Sequence, residues 1–492
     1  MLKLTIMKTK ITILLLAITL SLSAQQPWTS LNLVNNLPGM GERHMAKAVY
    51  DKELNTTVAT YTGSDNMAWI VAVSHETGDT FSMRVGSLPS GIPDMHSYSV
   101  ICQSGDGTFL VFYADQRGSV IRMARSNKPH DYKSWTDVSL GFRGQYPMPM
   151  VTNEGDVYLI WGFIPKSAKD VPKYGTYRPE YLSISKDNGI TWTTRPFMTS
   201  YQYVSQLNEF FLNQIIANED NTKWYTAWTM GGGIAPTGPL HDYFHANVYA
   251  AYYMPSTDKW YSCQGVEIGS IMDGGCDNPL AWASWKASED LMNKYCLVRY
   301  TGSIRRTQSG APSYYQTIVP GTEIIVSGTY HLQNGTWTNI PVKGVTISNV
   351  LASEFKEGSY LLYTSSQVYR SVNGIDYLLA ANISQPTWPS GGAINAMVVY
   401  NSHPSAQVVY LKMNSSNPNG CLRIAGSGEI VTPTPKIPYL VPGSYQVYVN
   451  GQSYGQSFDI LENAIEIAMP LKVNNPKDII TIGGYNAEIL LR

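Results

Sequence analysis

Charge is scarce in this sequence. Only 14% of its 492 residues are Asp, Glu, Lys or Arg, and they sum to a net charge of −1. No basic field favours nucleic acid or an anionic membrane surface, so an anionic substrate must be met by a few placed cations. Cysteine is scarcer still. Cys102, Cys263, Cys276, Cys296 and Cys421 are odd in number and far apart. A chain of this size needs no disulfide scaffold, and no Cys-x-x-Cys pair suggests a zinc ribbon. Buried free thiols are expected. Long apolar runs are missing beyond the N-terminus. Residues 11–22, the one such run, are too few to span a bilayer comfortably. Behind Lys3, Lys8 and Lys10 they read as a signal peptide cleaved near Ala24, with Met7 as an alternative start. No cysteine follows the run, which argues against a lipid anchor. A periplasmic or secreted protein is expected.

What is abundant is aromatic or turn-forming. Aromatics reach 12%, with 34 Tyr and 12 Trp, beside 41 Gly and 28 Pro. This suits a β-rich chain with many turns, not a helical enzyme or a disordered one. One octapeptide organises it: Ser185-Lys186-Asp187-Asn188-Gly189-Ile190-Thr191-Trp192. Asp187 can accept hydrogen bonds from the turn's own backbone. Gly189 permits positive φ, and Trp192 can pack beneath as an apolar plug. A second copy stands at 74–81, with Glu76 for the Asp and Phe81 for the Trp. A worn third stands at 371–377, around Asn373 and Gly374. The octapeptide resembles the Asp box of sialidase-type β-propellers. Three copies imply radial repetition of one hairpin unit.

Period-two alternation then predicts strands in sets. Residues 47–50, 57–61 and 68–73 form the first; 97–102, 108–113 and 120–126 the second, closing near Trp135; 148–152, 157–163 and 180–185 the third. Residues 224–230 and 248–254 begin a fourth, 281–285 and 294–300 a fifth. Residues 348–352, 360–364 and 368–371 form a sixth, 396–400 and 407–413 a seventh. The expectation is an all-β fold, a seven-bladed β-propeller with a short C-terminal β extension. Residues 1–24 are the signal peptide, 25–431 the propeller and 432–492 the extension, after the linker 432–436. The stretch from Trp28 to Gly41 reads as a Pro/Gly/Asn-rich lead-in.

Four spots put rare polar residues at expected strand ends: 94–98 with His96, 113–118 with Gln116 and Arg117, Gln145-Tyr146-Pro147, and 241–247 with His241 and His245 ahead of Tyr249. Arg178 lies between the third spot and the intact box; Arg143 and Arg117 compete with it as the site cation. In a propeller, residues at the starts of inner strands converge although they are far apart in sequence. The loop 273–278 around Cys276 has donors for a structural calcium or zinc ion. No metal is needed for the chemistry below.

On these residues the chain resembles, over roughly 40–420, the BNR-4-type propeller family of ulvan lyase-like polysaccharide lyases and related α-L-rhamnosidases. His96, Tyr146, Arg178 and His245 match that family's His, Tyr, Arg and later His. Gln116 stands where a second His is expected. The resemblance implies β-elimination on a uronic-acid-containing polysaccharide, ulvan-like or built of rhamnose and glucuronate. Elimination needs a neutralised carboxylate, a base for the C5 proton and an acid for the leaving oxygen. Arg178 and His245 suit the first task; His96 and Tyr146 share the other two. Gln116, Arg117, His241 and Tyr249 are substrate-binding candidates. Gln116 can hydrogen-bond but cannot transfer a proton, which keeps two alternatives open. One is an α-L-rhamnosidase-type hydrolase using His44; the other is a non-catalytic glycan-binding propeller. A sialidase is disfavoured, because its early Arg-Ile-Pro motif is missing. The expected partner is an acidic polysaccharide, with neither nucleic acid nor membrane involved, and the protein is expected to be a monomer.

Overall fold

The structure is a computed structural model. It describes residues 28–37, 46–63, 65, 67–87, 98–114, 120–163, 179–199, 209–218, 220–235, 238–262, 265–273, 304–305, 324–325, 330–333, 336–339, 342–346, 349–384, 387–389, 394–399, 401–412, 420–429, 431, 443–449, 452–460, 480–484 and 487–491. Every regular element of four or more residues among them is a strand. The strands fall into two compact units, one formed by Met1–Val73 and Phe81–Glu429, the other by Ser74–Thr80 and Ile430–Arg492.

The larger unit is a β-propeller built of antiparallel meanders. The first blade is Ala48–Asp51, Thr56–Thr62, Met67–Ser74 and Thr80–Ser87. The second is Tyr98–Gln103, Phe109–Ala114, Ile121–Ser126 and Trp135–Phe142. The third is Gly144–Val151, Val157–Phe163, Glu180–Ser185 and Thr193–Thr199. Second strands are buried along their whole length, as in Thr56–Thr62 and Phe109–Ala114, whereas no residue of the outer strand Trp135–Phe142 is fully buried. Inner strands lie between neighbouring blades, so both of their faces are apolar and the period-two signal fades in them. The cores lie between blades. Val58, Ile70 and Val85 of the first blade pack on Ile101, Phe109 and Val111 of the second.

The ring closes through the N-terminal segment. Residues 28–41 were expected to be a lead-in, but Trp28–Leu37 is a strand. It pairs antiparallel with Gly420–Gly426, from Thr29 opposite Gly426 to Leu37 opposite Gly420. It thereby becomes the outer strand of the last blade, Ile394–Val398, Val408–Lys412 and Gly420–Gly426. Ala59, Tyr61 and Val71 of the first blade share a core with Val409, Leu411 and Ile424 of this closing blade. Ahead of it stands the blade Ala352–Lys356, Ser359–Tyr363, Gln367–Ser371 and Leu378–Ser384. Its first strand begins where the expected 348–352 strand ends.

Two further boundaries differ from expectation. The strand expected at 148–152 is Gly144–Val151 and takes in Tyr146 and Pro147. The strand expected at 248–254 is Gly238–Met254, so His241 and His245 lie inside a strand and not at its mouth. The expected strands 281–285 and 294–300 lie outside the described residues, as does the loop around Cys276. Cys102 and Cys421 are buried free thiols. The smaller unit holds a four-stranded antiparallel sheet in the order Gln452–Ile460, Gly443–Val449, Ile480–Gly484, Ala487–Leu491.

The boxes behave as turns held by their own side chains. In 185–192, Asp187 accepts from the Thr191 N–H at 2.8 Å and the Thr191 hydroxyl at 2.5 Å. The Ser185 hydroxyl donates to Asp187 at 2.8 Å and receives the Gly189 N–H at 2.8 Å. The Thr191 bonds hold the Asp187 carboxyl down at about 2. Gly189 has φ 86. Trp192 donates to the Gly189 carbonyl at 3.2 Å and meets Phe112 and Phe142 edge-on. In 371–377, Asn373 accepts from the Ile375 and Asp376 N–H groups at 2.9 Å each. A fourth, longer copy went unseen in the sequence. In 126–135, Asp131 accepts from the Lys133 N–H at 2.8 Å and from the Ser134 hydroxyl, and Trp135 donates to the Tyr132 carbonyl at 2.9 Å.

Candidate functional site

At the other end of the third blade, where its inner strand begins, the sheet is irregular. Gln145 pairs with Gly162 and Met148 with Ile160, so one extra residue is accommodated between them. Pro147 has no N–H for the ladder, and the chain bulges. Tyr146 takes φ 56, a left-handed conformation that costs a non-glycine residue about 1–3 kcal/mol and persists only when its surroundings impose it. Both residues are buried, Gln145 2% and Tyr146 6% exposed, in a strand buried over its first six residues.

A polar row crosses this end of the sheet. Gln145, Gly162 and Glu180 stand opposite one another on three adjacent strands, so they share one face. Gly162 leaves a gap between the two longer side chains. A Cβ there would lie 3.5 Å from the Glu180 carboxylate oxygens. Glu180 is 1% exposed, and the Gln145 Oε1 is buried with no hydrogen-bond partner. Arg143, two residues upstream, has a buried Nε that likewise makes no hydrogen bond. Beside the row, Phe142, Trp161 and Tyr181 stack, with ring centroids 5.5 and 5.1 Å apart. A carboxylate, an amide, a guanidinium and a phenol are thus collected at one blade end. A buried polar atom left unmet is costly.

A second polar cluster joins the first two blades. Lys47 is 3% exposed, and its ammonium donates to the Ser99 carbonyl. The Ser99 and Thr60 hydroxyls meet at 2.7 Å. Burial pushes the Lys47 ammonium down to about 7, where it can exchange a proton at neutral pH. The sequence singles out Gln145 only as the neighbour of Tyr146, and it does not mark Lys47 or Glu180 as functional residues. Lys47 did leave a signal, as the lone cation in the strand-like run 46–50.

Of the catalytic and substrate-binding candidates, Tyr146 has a described side chain, as do its neighbour Gln145 and the alternative cation Arg143. His241, His245 and Tyr249 are placed by the backbone of Gly238–Met254; in register His245 stands opposite Gly231 and Ile304, Tyr249 opposite Trp228. His44, His96, Gln116, Arg117 and Arg178 lie outside the described residues. In sequence, His96 falls two residues before the strand Tyr98–Gln103, and Arg178 two before Glu180–Ser185. Among the described residues, no group of three or more His, Cys, Asp or Glu side chains is gathered to hold a metal ion.

Comparison with known proteins fits this architecture. The chain is similar in structure to an ulvan lyase of polysaccharide lyase family PL25, solved both free and bound to -[GlcA(1-4)Rha3S]-. The TM-score is 0.56 in each case, at 15% and 14% identity, over 80% of this chain and 95% of that one. An α-L-arabinofuranosidase from Fusarium graminearum aligns over 80% of this chain and 97% of its own, at 10% identity and a TM-score of 0.38. No curated protein matches in sequence. The chain therefore shares its fold with that ulvan lyase. Residues 47–344 match the model of the BNR repeat-containing family, and the chain belongs to that family.

Proposed function

We propose that the protein is a polysaccharide lyase that cleaves a uronic-acid-containing polysaccharide by β-elimination. The observation that carries this reading is the strained, buried Tyr146 next in the chain to the buried row Gln145–Gly162–Glu180. Strain held in place at a polar cluster is characteristic of a positioned reactive group. The ligand of the similar ulvan lyase, a glucuronate–sulfated rhamnose repeat, supports the substrate class. Tyr146 and His96 then share the base and acid roles. The base removes the C5 proton, the C4–O bond breaks, a C4=C5 double bond forms, and the acid delivers a proton to the departing oxygen. Arg178 and His245 neutralise the carboxylate so that the developing charge can spread onto it. Arg143 is a described cation suited to the same task. Gln116, Arg117, His241 and Tyr249 contact the flanking sugars. The signal peptide read in residues 1–24 directs the protein to the periplasm or beyond, where such polymers are met.

The test is incubation with ulvan while following the ultraviolet absorbance of the unsaturated uronate and, in parallel, free rhamnose. Rising absorbance that is lost in Tyr146→Phe and His96→Ala is the expected outcome. Rhamnose released without absorbance would overturn the lyase reading and direct attention to His44.

A further inference from the structure

At the box end, three turns close the seam between the first two blades. Two of them follow the inner strands Ala48–Asp51 and Tyr98–Gln103. The third is the longer box turn 126–135, which carries His130. Four donors converge on the buried Asp51 carboxylate. Its Oδ1 accepts the Glu53 and Leu54 N–H groups at 2.9 and 3.1 Å. Its Oδ2 accepts the Gln103 amide at 2.7 Å and meets His130 Nδ1 at 2.8 Å. Across the ring, His130 Nε2 lies 3.1 Å from the Glu53 carboxylate. The Asp51 side chain is 1% exposed and that of Glu53 74%. The ring is held where it stands. The His130 N–H donates to the Gly107 carbonyl at 2.9 Å. A Cβ on Gly107 would come within 2.2 Å of His130 Nε2, so the ring lies directly on that turn.

An imidazole between two carboxylates has one charge state that suits both. A neutral ring carries a single N–H, and its other nitrogen turns a lone pair toward a carboxylate oxygen. The imidazolium presents an N–H on each side, and its charge strengthens the bond to Asp51. The other charged groups on these turns have different roles. Asp106 accepts from the Ser104 hydroxyl at 2.8 Å and the Thr108 N–H at 2.9 Å. Asp131 is engaged by Lys133 N–H and Ser134 within its own turn. Lys52, Lys128 and Lys133 are exposed. From the closing blade, His403 packs on Tyr50 with ring centroids 5.4 Å apart, its Nδ1 2.8 Å from the Ser405 hydroxyl.

We propose that His130 is a pH-sensitive latch. As an imidazolium it ties the second blade's box turn to the 51–56 turn of the first. When it loses its proton, the attraction to Glu53 is lost, the bond to Asp51 weakens and the seam loosens. Histidine is the side chain that ordinarily changes charge between about pH 5 and 8. The next two seams at this end are joined by groups that keep their charge across that range. The second and third blades meet through the Gly105 N–H and the Gly155 carbonyl at 3.1 Å, and through Arg125 and the Asn188 carbonyl at 2.9 Å. The third and fourth meet through the Asn221 amide and the Val151 carbonyl at 2.8 Å, and through the Asn153 amide and the Asp220 carbonyl at 3.0 Å. The latch does not rest on the lyase reading.

The test is hydrogen exchange of the full-length protein, read by mass spectrometry at about pH 5 and about pH 8 and corrected for the intrinsic pH dependence of exchange. The reporters are the Glu53 and Leu54 amides, which Asp51 holds, with the Asn153–Asn221 seam as internal control. Protection of the 51–56 turn is expected to fall about fivefold from the lower pH to the higher, while the control holds. His130→Gln has one donor group and no charge, so its protection should be low and equal at both values. Lys47 and His403 are common to both proteins, so the difference reports His130. An equal fall in wild type and His130→Gln, or no fall in the wild type, would overturn the latch. Glu53→Gln alters an exposed side chain and leaves the fold intact. Its amide can meet either form of the ring, so the fall should shrink to about half. An undiminished fall in Glu53→Gln would overturn the two-sided latch.

Discussion

The two ends of the third blade are built from similar residues to opposite effect. At the box end, Asp187, Ser185 and Thr191 satisfy one another within seven residues. At the other end, Gln145 keeps an unmet acceptor and Tyr146 a strained backbone. Polar groups that close on themselves hold a turn. Polar groups left open, and strained, are available to a ligand. The contrast separates structural from functional polarity more sharply than exposure does, because both ends contain buried atoms.

The largest effect that could break this contrast is on turnover. Tyr146→Phe should reduce elimination by at least about 100-fold while leaving the melting temperature within a degree or two, read by single-turnover absorbance and by calorimetry. If turnover survives, the strained end is structural after all. Next, Gln145→Leu should lower turnover about tenfold through misplacement of its neighbour, yet leave stability unchanged or raised by up to about 1 kcal/mol, since it removes a buried acceptor that has no donor. Denaturant melts alongside initial rates separate the two effects.

The Lys47 cluster sharpens the comparison through pH. Its ammonium is held at about 7 in the fold against 10.5 when free. The folded state therefore bears the full cost of charging Lys47 below about pH 7, and that cost is relieved as pH rises towards 10.5. Relative to Lys47→Met, the wild-type protein should gain stability across that window, as read by thermal melts at successive pH values. The smallest effect belongs to the box. Asp187→Ala should cost about 1 kcal/mol, because solvent exposure discounts its charged hydrogen bonds. Its carboxyl is lowered from 3.8 to about 2, so its contribution is present above about pH 4 and is lost as pH falls towards 2. Asn373→Ala, without a charge, should cost less and show no such acid dependence.

These differences also explain what could be read in the sequence. The box is legible because its chemistry is local: Ser185, Asp187, Gly189 and Trp192 carry the whole turn. Strands such as Val157–Phe163 and Glu180–Ser185 match their expected bounds because turn residues punctuate them. The 126–135 turn escaped because its serine and tryptophan stand nine residues apart, not seven. Trp28–Leu37 escaped because its partner, Gly420–Gly426, is remote in sequence. Tyr146 was legible as a residue but not as a strained one, since its φ arises from a bulge measured against Gly162 and Ile160. The polar row joins three strands by register and leaves no pattern along the chain.

The pairing of Trp28–Leu37 with Gly420–Gly426 also sets an order of events. This strand is the first among the described residues, and its partners Leu378–Ser384 and Gly420–Gly426 come only near the end of the propeller, so the earlier blades can form before it is claimed. Loop-closure entropy grows only with the logarithm of that separation, but so remote a contact is slow to find. Until it is found, Gly420–Gly426 presents an open edge to any passing chain. A protein trimmed past Leu37 would have no means to end that wait, and its failure would show as aggregation during maturation, before any loss of activity could be measured.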